Sequence, residues 1–156
     1  MSQLYEEIVH GETLMRLPPG PRHEKICANL HARLAASLAN HAAARLLAPR
    51  SIVQLSPGTM LRPDIALVTV ATGKLWLAAE VINSEDHQPD TVLKKTIYED
   101  FNVARLWMVD PRYDNVETYH GMPYGLALRG ILAGKERLVE SLLPGFDVAV
   151  SELFSV

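Results

Sequence analysis

A glutamate interrupts an otherwise apolar run. In Lys74-Leu75-Trp76-Leu77-Ala78-Ala79-Glu80-Val81-Ile82 every residue after the lysine is apolar except Glu80. A run of this kind reads as a core strand. An ionised side chain there costs roughly several kcal/mol unless a partner or a cation compensates it. A second apolar run, Ile65 to Ala71, lies just upstream and is headed by Arg62-Pro63-Asp64. Two acids on two hydrophobic strands joined by a short turn point to a metal site.

The turn decides how the acids face each other. A three-residue loop over residues 71–73 sets Asp64 opposite Glu80, and a two-residue loop puts them one step off. Opposite residues on one sheet face have Cβ atoms about 4.5–5.5 Å apart. Carboxylates at that distance repel unless a cation or a shared proton intervenes. Mg²⁺ accepts such a site, since it takes hard oxygen ligands from one or two carboxylates, water and phosphate. Lys94 follows on the next expected helix, with Tyr98 four residues on and hence on the same face. Asp90 is one turn before Lys94, placed to orient it. An ammonium beside metal-held water stabilises developing hydroxide and phosphorane charge.

Length and composition bound the rest. The 156 residues suffice for one domain with a real core, and residues 1–156 are read as a single domain. The apolar share of 48 % excludes a disordered chain. No apolar stretch reaches the roughly 20 residues that span a bilayer, so no membrane partner is expected. Residues 1–20 do not resemble a signal peptide. Cys27 is the sole cysteine, which rules out an internal disulfide and a thiolate zinc cluster and suits a reducing cytoplasm. The formal charge of −3 gives no global attraction to nucleic acid, although a local basic face is compatible with it.

Residues 4–9 and 13–17 read as a hairpin around His10-Gly11, followed by the breaker Pro18-Pro19-Gly20-Pro21. Residues 22–48 lack Gly and Pro, and Ile26, Leu30, Leu34 and Leu38 recur at four-residue steps, so a long helix ending at Pro49 is expected. Strands follow at 51–56, 63–71 and 74–82. A second helix is expected at 90–102, with Leu93, Ile97 and Phe101 on its buried stripe. Further strands are read at 106–109, 115–120 and 124–128. The run 142–154 has a turn at Pro144-Gly145 and a short helical end. The order predicts one mixed α/β layer structure.

These residues resemble the PD-(D/E)xK nuclease superfamily, and more finely its Uma-type family of bacterial restriction-endonuclease-like proteins. Tyr5-Glu6-Glu7-Ile8-Val9-His10-Gly11-Glu12 is similar to that family's opening hairpin, and Pro21-Arg22-His23 with Ile26 to the start of its first helix. Arg62-Pro63-Asp64 and Glu80-Val81-Ile82-Asn83-Ser84 resemble its acidic strands. Asp90, Lys94 and Tyr98 resemble its D-x-x-x-K-x-x-x-Y helix, and Leu106-Trp107-Met108-Val109-Asp110-Pro111 its next strand. Leu142-Leu143-Pro144-Gly145-Phe146 with Leu153-Phe154 resembles its end. The sequence departs from the superfamily where Ile82 stands two residues after the acid in place of lysine; the Uma-type family carries that lysine on the following helix, which makes it Lys94. The connection from Glu80 to Lys94 is about one residue short, and the family's helical leader before the hairpin is missing.

The resemblance implies a restriction endonuclease-like α/β fold, with a central mixed sheet flanked by helices. It implies a Mg²⁺- or Mn²⁺-dependent endonuclease acting on nucleic acid, DNA first. Asp64, Glu80 and the Val81 carbonyl would hold the metal, Lys94 would activate the attacking water, and His23 would make an auxiliary phosphate or metal contact. A homodimer is expected, with apolar surface offered by residues 142–156. The alternative is a nuclease scaffold that cleaves nothing and serves oligomerisation or nucleic-acid binding. Plainer readings stand beside the site: Glu80 as a core acid paired with an arginine, Asp64 as a turn residue, Lys94 beside Lys95 on a solvated face, His23 as a cap, and Tyr98 as packing. Glu12 is read as structural, Trp76 and Trp107 as core, and His31, His41, His87 and His120 as having no zinc spacing.

Overall fold

A computed structural model describes residues 4–39, 43–83 and 89–156, with backbone alone at 89 and 90. Strands β1 (Tyr5–Val9) and β2 (Glu12–Arg16) form the opening hairpin. Its turn residues His10 and Gly11 both have positive φ, 50° and 81°, which suits a two-residue turn between twisted strands. Helix α1 (Pro21–Ser37) starts on a proline, whose fixed φ suits the first helical turn. Its buried stripe is Ile26, Cys27, Leu30 and Leu34.

The chain then departs from the expected helix over 22–48. The helix ends at Ser37, and Ala44–Leu46 forms strand β3, paired antiparallel with Thr69 to Leu67. Ala, Arg and Leu favour a helix locally, but here the free edge of the sheet provides backbone partners that override that preference.

Strands β4 (Val53–Ser56) and β5 (Thr59–Leu61) form a hairpin around a Pro57-Gly58 turn. Strands β6 (Ile65–Thr69) and β7 (Leu75–Val81) follow. A π-helical turn, Pro89–Lys94, runs into α2 (Lys95–Phe101), which Asn102 closes in the left-handed conformation. The chain ends with β8 (Arg105–Asp110), β9 (Asn115–Met122), β10 (Gly125–Ala133), β11 (Arg137–Glu140), β12 (Leu143–Ala149) and α3 (Val150–Phe154).

Among the described residues the large sheet has the order β10-β9-β8-β7-β6-β3. β7 and β8 are parallel, and the other pairs are antiparallel. A smaller sheet has the order β2-β1-β5-β4, and β11 pairs with β12. Alternation along the strands divides the core. Leu77, Ala79, Val81, Trp107 and Val109 pack with α1, β12 and α3. Ala78, Ile82, Leu106 and Met108 pack on the other face with Leu61, Ile97 and Tyr98. Each such buried side chain of Leu or Ile size contributes roughly 1.5–3 kcal/mol. Glu80 has the parity of Ala78 and Ile82, so it points towards the small sheet and α2.

The expected stripe on the second helix is displaced by one residue. Leu93 is exposed and Phe101 half-buried, while Lys94, Ile97 and Tyr98 are buried. The apolar surface expected of 142–156 is mostly turned inward: Leu143, Phe146, Val148, Val150, Leu153 and Phe154 are core, leaving Leu142 and Val156 exposed. Pro144-Gly145 lies within β12, opposite an irregularity in the pairing with β11, and is not a chain reversal. Tyr124 is an exposed turn residue, and the expected 124–128 strand runs on to Ala133. Trp107 is buried, whereas Trp76 is only partly so. Among the described residues no helix is long and apolar enough to cross a membrane.

Candidate functional site

Asp64 stands immediately before β6, and Glu80 is the penultimate residue of β7. The register runs Ile65↔Ala79, Ala66↔Ala78 and Leu67↔Leu77, so Asp64 and Glu80 come side by side, although the expected three-residue loop over 71–73 is not what puts them there. The turn itself is one step off: the Thr69 N–H bonds the Lys74 carbonyl at 2.9 Å and Val68 pairs with Leu75, and the extra residue Trp76 restores the register that sets the two acids side by side. The two residues are laced together through the backbone. The Asp64 N–H donates to Glu80 Oε1 at 3.3 Å, and the Val81 N–H donates to Asp64 Oδ2 at 2.8 Å.

Lys94 reaches this pair from the π-helical turn. Its Nζ is 2.8 Å from Glu80 Oε2 and 2.9 Å from Glu7 Oε2. The Tyr98 hydroxyl donates to the same Glu80 oxygen at 2.8 Å. Lys94 and Tyr98 converge because they are four residues apart on one helical face. Lys94 and Glu80 are each 1 % exposed and Asp64 4 %, so Lys94 is not on a solvated face and Glu80 is paired with a lysine, not an arginine. The side chain of Asp90, and Ser84, lie outside the described residues, as do His41 and His87.

His23 approaches from the first turn of α1. Its Nε2 is 2.6 Å from the Val81 carbonyl and 3.4 Å from Asp64 Oδ2. Burial pulls its pKa down, but the hydrogen bond and charge of Asp64 and the Val81 carbonyl outweigh this and raise it above 6.5. Burial pushes the Asp64 carboxyl up, yet His23, Lys94 and the Val81 amide hold it below the usual carboxylate value. Burial and the adjacent Glu80 charge push the Tyr98 phenol well up, so it serves as a hydroxyl donor.

Three participants escape a reading of the sequence. Glu7 is buried; it accepts from Arg16 at 2.9 Å and from the Arg62 N–H at 2.7 Å as well as binding Lys94. The signal was available: with a two-residue turn, Glu7 pairs with Leu14 and Tyr5 with Arg16, so acid and guanidinium are diagonal neighbours on one face. Glu12, the acid that the sequence brought up, is exposed. Arg50 joins Asp64 at 3.3 Å to Glu24 at 2.8 Å. Cys27 sits one helical turn after His23, its Sγ 3.7 Å from His23 Nδ1.

The donors of Asp64, Glu80 and the Val81 carbonyl are all hard oxygens, a set that fits Mg²⁺ or Mn²⁺. A groove of about 270 Å³ opens beside them, lined by Gly20, Arg22, His23, Ile82, Asn83 and Pro111 among others. A larger cleft of about 490 Å³ lies between Arg45, Gln54 and Lys74; neither cavity is lined by Asp64, Glu80 or Lys94, and the smaller one meets the cluster at His23.

A mixed sheet that brings an acid before one strand beside an acid near the end of the next, with a lysine from the following helix, is a nuclease-like scaffold. The fold is similar to the crystal structure of a "putative nuclease belonging to DUF820" from Anabaena variabilis, with a TM-score of 0.79 at 14 % identity over 96 % of this chain and 89 % of that one. The chain belongs to the Uma2 family, described as "Putative restriction endonuclease", which matches residues 3–151. No curated protein matches it.

Proposed function

We propose that this protein is a PD-(D/E)xK-type phosphodiesterase that cuts nucleic acid, DNA first, with Mg²⁺ or Mn²⁺. Asp64, Glu80 and the Val81 carbonyl would hold the cation, which when bound supplies Lewis acidity and a more acidic water. The observation that carries this reading is the Lys94 ammonium, 2.8 Å from Glu80 within the same buried cluster as Asp64. Lys94 keeps a positive charge at Nζ where negative charge would build on a phosphoryl oxygen. Glu7 and Glu80 hold that ammonium in place, and Tyr98 fixes the Glu80 carboxylate by donating to Oε2. His23 lines the groove, placed for an auxiliary contact to a phosphate or the metal. A homodimer, one copy per strand, is the assembly that cutting a duplex calls for, and the free thiol of Cys27 suits the cytoplasm.

The test is plasmid nicking by pure protein in Mn²⁺. Nicking by the wild type that disappears in Asp64→Asn, Glu80→Gln and Lys94→Met, each folded by circular dichroism, is the expected result. Nicking that survives all three substitutions, or a wild type that binds no Mn²⁺ or Mg²⁺ by calorimetry at millimolar metal, ends the proposal.

The second reading, a nuclease scaffold without cleavage that binds nucleic acid or assembles, draws on a specific observation. Glu7, Asp64 and Glu80 already have cationic partners within the fold. The net charge of −3 also gives nucleic acid no general pull. On this reading nicking is absent while the metal-free protein keeps full stability.

A further inference from the structure

We propose that His23, Cys27 and Asp64 form a second metal site, selective for a thiophilic divalent cation of the Zn²⁺ class and mutually exclusive with the hard-cation site. One ligand atom from each of the three lies within 4.8 Å of the other two. His23 and Cys27 are four residues apart on α1, the spacing that puts two ligands on one helical face. Cys27 Sγ lies 3.7 Å from His23 Nδ1. A tetrahedral zinc shell separates sulfur and nitrogen donors by roughly 3.5 Å, given its usual bond lengths.

The imidazole is already oriented for this role. The Val81 carbonyl can only accept, so Nε2, 2.6 Å away, carries the proton. That leaves the Nδ1 lone pair turned towards Cys27. A ligating histidine usually donates its other ring nitrogen to a carbonyl or carboxylate in this way. Glu24 Oε1 supplies an independent pointer. It is a buried side-chain oxygen with no hydrogen-bond partner, and it lies 3.7 Å from His23 Nδ1. A cation at Nδ1 would give that oxygen a partner and complete four donors.

The donor chemistry separates the two sites. Thiolate and imidazole select Zn²⁺-class ions, while an all-oxygen set selects Mg²⁺ or Mn²⁺. Both draw on Asp64, and the His23 bond takes up the Val81 carbonyl that the hard cation would use. Occupation of one therefore weakens the other. That zinc would also block cleavage rests on the phosphodiesterase reading; the binding does not.

Co²⁺ titration of the full chain tests the site without an activity readout. Cys27 is the sole cysteine, so a thiolate-to-cobalt charge-transfer band has one source. The expected result is a band that saturates at one equivalent, bleaches when Zn²⁺ is added, and needs more Co²⁺ when Mg²⁺ is in excess. His23→Gln should weaken Co²⁺ binding by at least about tenfold. Cys27→Ala should abolish the band with the far-ultraviolet spectrum unchanged; if that variant does not fold, the wild-type band and its His23 dependence decide. Co²⁺ binding without a thiolate band, no Co²⁺ binding, or a band indifferent to His23→Gln overturns the proposal. A protein that nicks nothing yet gives the band loses only the phosphodiesterase reading, and one that nicks without the band loses only this site.

Discussion

Lys94 Nζ lies 2.8 Å from Glu80 Oε2, the one residue on a π-helical turn and the other on the strand before it. A buried charge with its partner removed is costly, and here the ammonium separates two carboxylates, those of Glu7 and Glu80.

Lys94→Met should therefore destabilise the protein by about 3–5 kcal/mol, the cost of leaving buried charge unpaired. Urea denaturation measures it. Combining the change with Glu80→Gln should recover part of the loss, because the carboxylate that Lys94 pairs with is then neutral, whereas Glu7 keeps Arg16. A double variant no more stable than Lys94→Met would show that Glu80 does not depend on Lys94.

Tyr98→Phe removes one donor to Glu80 and keeps the ring in the core. The loss should be about 1.5–3 kcal/mol, typical of a hydrogen bond to a charged group. Under the proposed function it should also lower nicking, with the fold retained.

The His23–Asp64 pair predicts a stability window in pH. Asp64 has a lowered folded pKa, so its contribution is present above the unfolded value of 3.8 and is lost as pH falls through the folded value. His23 has a raised folded pKa, so its contribution is complete below 6.5 and is lost as pH rises through the higher folded value. The pair thus stabilises most between these two limits. Thermal melts across pH should show both limbs in the wild type, and Asp64→Asn should flatten them.

Gly121→Ala should disrupt β9. An added Cβ would run into the Val103 carbonyl, a backbone atom that cannot step aside, while the Gly121 N–H bonds the Ala104 carbonyl at 2.9 Å. Overpacking of this kind costs about 1–3 kcal/mol, and a lowered melting temperature would register it.

What could be read in advance followed from local periodicity and spacing. Strand alternation puts Asp64 and Glu80 on neighbouring strands close to opposite each other, but their exact alignment needs the extra residue at Trp76, which nothing in Leu75-Trp76-Leu77 announces. Lys94 became visible through its resemblance to a family helix; its pattern beside Lys95 reads as a wet face, and only burial under β1 shows otherwise. The 22–48 helix overran because nothing in Ala44-Arg45-Leu46 announces that an open sheet edge awaits it. Leu93 is exposed and Lys94 buried because the wider π-helical turn before α2 shifts the face by one residue. Glu7, Arg50 and Cys27 meet Lys94 or the acids across long stretches of chain, where composition carries no distance information.

The reach of Glu7 from the small sheet to Lys94 makes the ionic cluster a rivet between two layers. Any survey of variants scored by cellular abundance would then flag the same positions as one scored by reaction rate. Substitutions that keep charge and length, such as Lys94→Arg, are the ones able to pull architecture and chemistry apart.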